Sequence, residues 1–336
     1  MRLALVCGAA SVAAQPAAQR AATPSWTVSA PDAALAWFSV LADWRIDGDG
    51  AFSYINPAAA EQMSSERDES LVRRLRSEPA RAVLHFAPLY YPSASRTALA
   101  LALRAAGASS APSEPRATFL HSALERTMPV TARRAYLAPL ATALEDAVVE
   151  APSAERLARW QQVLDSLYLP ALAPHLARER LDAGRVIVAP ALGAEGRLFA
   201  ATADRTDNLV AVGAFAADPD PEAPLLAFVR EICFPAVSRA ASAARLGPSS
   251  PNAARRSSLA AVRCGAALLE ACLPNRADAY RAFWVRQADR AGLSTQRARG
   301  AALAPAVRAE FDRLFPADAA LAVRVGCERS VVPRRP

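Results

Sequence analysis

Leu209-Val210-Ala211-Val212-Gly213-Ala214-Phe215, the turn Asp218-Pro219-Asp220-Pro221, and Leu225-Leu226-Ala227-Phe228-Val229-Arg230-Glu231-Ile232-Cys233-Phe234-Pro235 decide how this chain reads. The first piece is a short apolar run ended by turn residues, which predicts a buried strand. The last piece opens a helix expected over 223–244. Two further short runs, 185–190 and 197–202, are bounded by Gly, Asp and Asn and complete a three-stranded sheet in the middle of the chain.

Outside this region the pattern is helical. Apolar residues at three- and four-residue spacing predict helices over 29–43, 71–76, 98–106, 132–147, 154–169, 172–182, 258–272, 277–291 and 303–314. Asp47-Gly48-Asp49-Gly50 is expected to end the first of these, and Gly184 to end the sixth. The stretch 83–92 holds Pro88 and Pro92 and is predicted to be extended or irregular. The expected fold class is α+β, mainly α-helical, with a small mid-chain sheet packed against the 223–244 helix.

The chain has 336 residues, 53% of them hydrophobic and 21% charged, so it can bury a core and is not disordered. Its 39 basic residues are all Arg, and 26 Pro outnumber 13 Gly, the composition of a GC-biased coding sequence. The net charge of +7 is therefore poor evidence for a nucleic-acid partner, and the Arg residues are spread along the chain beside 32 acidic ones. No basic stripe forms, which argues against specific nucleic-acid binding.

Met1-Arg2 followed by a short apolar run and small residues up to Gln19 reads as a signal peptide over 1–19. That places the protein in the periplasm or outside the cell. No segment is long enough to span a membrane. Behind the leader, the expected organisation is an N-terminal helical region at 20–130, a core at 131–327 and a tail at 328–336. The core holds Cys233, Cys264, Cys272 and Cys327. Cys264 and Cys272 stand about 12 Å apart along one helix and cannot bond each other. Either both pair with Cys233 and Cys327, or the four are buried thiols.

Motifs for common chemistries are missing. His85, His121 and His175 have no metal-ligand spacing, and no nucleophile elbow or phosphate-binding Gly-rich loop occurs. Each His is expected to be isolated and held by a hydrogen bond. The 43–50 stretch has the outline of a calcium loop, but Arg45 and Tyr54 stand at ligand positions, so it reads as a polar turn.

The strand at 209–215, the acidic turn and the helix carrying Arg230-Glu231-Ile232-Cys233-Phe234 have the layout of a zincin active site, in which H-E-x-x-H holds zinc. Glu270 lies 39 residues beyond Glu231, where a gluzincin-type peptidase offers its third ligand. On these residues the chain resembles a secreted bacterial zincin-like, gluzincin-type family of uncharacterised function, with a degenerate motif. The resemblance implies that Glu231 is the former catalytic carboxylate and that Arg230, Phe234 and Glu270 mark the former ligand positions. Phe234 has no lone pair and Arg230 is a permanent cation, so no zinc and no cofactor are expected.

The resemblance implies a non-catalytic pseudoenzyme, a binding or scaffold protein whose partner is a peptide or protein. In it, Arg230 is expected to approach Glu270 and replace the metal's charge; the plainer expectation leaves Arg230 and Glu231 facing solvent and Glu270 paired elsewhere. Other readings are a hydrolase with an unidentified site using Glu231 and Glu270, or a helical interaction module.

Overall fold

The computed structural model describes residues 24–46, 73, 75, 81–90, 95–107, 115–200, 208–213, 220–245, 251–293, 304–323, 325 and 327. Its architecture is α+β and mainly helical. One sheet has the order β1-β2-β4-β3, built from β1 (Ser25–Ser29), β2 (Ala183–Ala189), β3 (Arg197–Ala200) and β4 (Asn208–Gly213). β2 runs parallel to β1 and β4, and β3 pairs antiparallel with β4 at the far edge.

Side chains alternate across a strand, so each sheet face has its own core. Ile187, Ala189, Leu209 and Ala211 face a layer of α1 (Asp32–Asp43), α2 (Arg81–Leu84), α3 (Ala87–Tyr90), α4 (Arg96–Gly107), α5 (Pro115–Thr127) and α6 (Val130–Asp146). Val186, Val188, Val210 and Val212 face α7 (Ala154–Val163), α8 (Leu169–Glu179), α9 (Ala223–Ala243), α10 (Pro251–Cys272), α11 (Pro274–Arg290) and α12 (Ala304–Leu314). The expected boundary near residue 130 falls between α5 and α6, inside one layer. Among the described residues no helix is long and apolar enough to cross a membrane. The expected leader, the expected tail and the expected Asp47-Gly50 turn lie outside the described residues.

Strand β1 was not expected. Only Trp26 and Val28 are apolar in it, and its hydrogen bonds are completed by distant residues. The Trp26 indole donates to the Leu181 carbonyl at 2.9 Å. Gln161 covers the outer edge, accepting from the Val28 amide at 2.6 Å and donating to the Trp26 carbonyl at 2.9 Å. A side-chain amide thus does the work of a neighbouring strand and closes an edge that could otherwise pair with another chain.

The expected helix stop at Gly184 is corrected. Gly184 lies within β2 opposite Trp26, and a Cβ there would come within 2.4 Å of the Asn208 carbonyl and 2.7 Å of the indole. α8 ends instead at Arg180, in the left-handed region with φ 57°, while Leu181 N–H reaches back to the Leu176 carbonyl at 2.8 Å. α1 closes in the same way at Arg45 (φ 51°), and Arg245 (φ 54°) follows the end of α9. Arg fills a position where Gly is usual.

Proline also departs from expectation. Residues 81–90 form two short helices, because Pro88 falls in the first turn of α3, where a missing N–H costs nothing. The segments expected at 154–169 and 172–182 are nearly continuous, joined by a π turn at Leu164–Tyr168. The wide turn falls where Pro170 withholds an N–H from the Ser166 carbonyl.

Cys272 and Cys327 form a disulfide with Cα atoms 5.4 Å apart. Cys233 and Cys264 are buried thiols.

Candidate functional site

Helix α9 is apolar on nearly every side because it is wedged between the sheet and α10. Its residues 223–233 are all buried, Arg230 and Glu231 among them at 0% and 1% exposure. A charge in that environment persists only if it is neutralised and hydrogen-bonded. Arg230 meets both conditions. One guanidinium nitrogen, Nη1, donates to Oε1 of Glu231, and the other, Nη2, donates to Oε2 of Glu195 at 2.6 Å and to Oγ of Ser258 at 2.8 Å. Ser258 in turn donates to Oε1 of Glu195 at 2.5 Å. The guanidinium carbon lies 4.7 Å from the Phe234 ring centroid and 5.4 Å from that of Trp284, so aromatic faces cover the cation.

Four separate pieces of chain supply this cluster: α9, α10, α11 and the turn before β3. Glu195 stands in that turn and Gly196 follows it. A Cβ on Gly196 would come within 2.7 Å of both the Ala211 carbonyl and the Glu231 carboxyl group, so the close seat of Glu231 against the sheet requires glycine. Arg197 begins β3 with Nη1 3.8 Å from Glu195 and Nη2 donating to Nδ1 of His85 at 3.2 Å. Since Arg can only donate, Nδ1 accepts, and Nε2 of His85 donates to the Ile46 carbonyl at 3.0 Å. The polar chain therefore passes around the sheet edge from one helical layer to the other.

Electrostatically the cluster is a near-balanced set of two carboxylates and two guanidinium groups. Burial pushes the Glu231 carboxyl above the usual range; Arg230 opposes this and Glu195 adds to it. Burial would lower Arg230, but the Glu195 and Glu231 carboxylates outweigh it and its pKa is raised.

The expected site is thus only partly brought together. Arg230, Glu231 and Phe234 converge. Glu270 does not: its side chain is 62% exposed and it pairs with Arg281 at 2.9 Å. Ser258 holds the place by Arg230, and Glu270 lies twelve residues along the same helix, about 18 Å on at 1.5 Å per residue. The expected approach of Arg230 to Glu270 is corrected, as is the alternative in which Arg230 and Glu231 face solvent. A hydrolytic pair of Glu231 and Glu270 fails on the same separation.

Glu195 and Ser258 were missed. They lie 35 and 28 positions from Arg230, on different elements, and no local spacing links them. The available signal was a lone carboxylate beside glycine in an apolar stretch, Ala194-Glu195-Gly196.

Zinc does not fit these residues. The centre is filled by a cation, Phe234 offers no lone pair, and among the described residues no group of three His, Cys, Asp or Glu could hold a metal. The three His residues are apart. His175 accepts at Nδ1 from Arg178 (2.9 Å) and donates from Nε2 to the Ile232 carbonyl (3.1 Å), while His121 lies 4.0 Å from Glu125. What the arrangement can do is hold helices and a sheet edge in one geometry; no water-exposed base or nucleophile stands in it. Comparison of the chain with protein-family models, curated proteins and solved structures finds no match.

Proposed function

We propose that this protein is a non-catalytic, metallopeptidase-like binding or scaffold protein that works outside the cytoplasm, with its own guanidinium standing where a zincin keeps its metal. One observation carries the reading. Arg230, at the first position of the degenerate H-E-x-x-H register, is fully buried, hydrogen-bonded by Glu231 and Glu195, and covered by Phe234 from the second His position. A carboxylate sealed against a cation cannot activate water. The Cys272–Cys327 disulfide supports an oxidising compartment, and a peptide or protein is the partner class this reading implies.

The test is elemental analysis of the dialysed protein beside an Arg230→His, Phe234→His variant. The expected result is no metal in the natural protein and, with Glu195 beside position 230 supplying the third ligand in place of Glu270, stoichiometric zinc in the double variant. Zinc in the natural protein overturns the reading, and zinc in neither favours a helical interaction module.

A further inference from the structure

The Arg230 cluster depends on α9 and α10 staying in register, since Arg230 and Glu231 come from one and Ser258 from the other. One turn beyond Arg230, Cys233 on α9 meets Cys264 on α10, with their sulfur atoms 2.6 Å apart. Both are buried, Cys233 at 0% and Cys264 at 6% exposure. The neighbourhood is closely packed. Tyr280 of α11 donates to the Val262 carbonyl at 3.1 Å, and Gly265 leaves the room its hydroxyl needs, since a Cβ there would fall 2.1 Å from it. Two sulfur atoms facing each other at this distance, within about 0.6 Å of the ~2.05 Å bond length, need almost no movement to join.

We propose that Cys233 and Cys264 form a second disulfide, a core staple between α9 and α10 beside the Arg230 cluster. The reaction is thiol–disulfide exchange with a small-molecule or protein disulfide. The thiolate of one cysteine attacks the oxidant and releases one thiol. The other cysteine then attacks the mixed disulfide and releases the second thiol. The two electrons and two protons lost from the cysteine pair thereby end on the oxidant as two thiols. The bond forms while the chain is folding. Once α9 and α10 have packed, both sulfur atoms are buried out of reach of an oxidant in solution, and burial also pushes the Cys233 thiol well up. The Cys272–Cys327 bond differs in kind: both of its residues are partly exposed.

The experiment uses the full chain with Cys7→Ser, so that the four core cysteines are alone. The protein is unfolded in reductant, refolded with reduced and oxidised glutathione, alkylated with iodoacetamide in denaturant without reduction, digested and mapped by mass. The expected result is loss of label at all four positions, with linked peptides joining 233 to 264 and 272 to 327. Label on Cys233 and Cys264, or linkage of either to another cysteine, overturns the proposal. A second reading adds reductant to the folded protein: Cys272–Cys327 is expected to open first, and Cys233–Cys264 only under denaturant. Equal opening of the two in folded protein overturns the core staple.

Discussion

Glu231 and Glu270 are the same residue type, each in a long helix rich in Ala, and each is paired with an Arg. Glu231 is 1% exposed and bound to a fully buried Arg230, whereas the Glu270 side chain is 62% exposed and its Arg281 partner 9%. In water an ion pair gains little, because both ions are already solvated. In a core the pair gains little over an apolar pair either, but removing one member strands the other without solvent or partner. The lesson of the comparison is that burial, and not the distance between charges, decides what a substitution costs.

The comparison breaks first at Arg230. Arg230→Ala strands Glu231 in the core, leaves Glu195 to Ser258 and Arg197, and is expected to cost about 3–5 kcal/mol, read as a lower urea midpoint or loss of the cooperative transition. A midpoint unchanged from the natural protein would mean that water reaches the cluster.

A middle-sized effect comes from His175, a buried group that avoids charge altogether. Burial holds its pKa below the ordinary imidazole range, although the Ile232 carbonyl and Glu179 pull upward. The unfolded chain therefore takes up a proton near pH ~6.5 that the folded chain refuses. The resulting stability is fully present above that pH and is lost as pH falls below it. Denaturation midpoints from about pH 7.5 to about pH 5 should fall more steeply in the natural protein than in His175→Gln. Parallel slopes would show that His175 takes its proton while folded.

The smallest effect belongs to Glu270. Glu270→Ala should cost less than about 1 kcal/mol, and added salt should reduce even that. A salt-insensitive loss larger than this in the same urea titration would mean that Glu270 is held by more than its exposed pair with Arg281.

How far the sequence could be read follows the same division between local and distant causes. Strands β2 and β4 are legible because Val, Leu and Ile run together between turn residues, and α9 because its apolar run is long. β1 is not, because the edge-covering amide of Gln161 lies 133 and 135 positions away. The end of α1 at Asp43 was read in place, whereas that of α8 was misplaced because Arg180 takes the left-handed position and leaves no glycine to mark the stop. At the site, Arg230, Glu231 and Phe234 share one helix and one register, so their convergence could be anticipated. Glu195 and Ser258 join them only through folding, and Glu270 has a plausible spacing at the wrong end of α10.

The guanidinium at the centre of the cluster is attached to the chain, and that changes the kinetics of the site. A metal ion of the same charge role would arrive from solution, leave again, and yield to a chelator, so the stability of its surroundings would follow its concentration. Arg230 arrives with its own helix at fixed stoichiometry. Assembly of this corner is then a unimolecular event, indifferent to metal supply and to sequestering agents, and it is undone only when α9 itself comes away from the sheet.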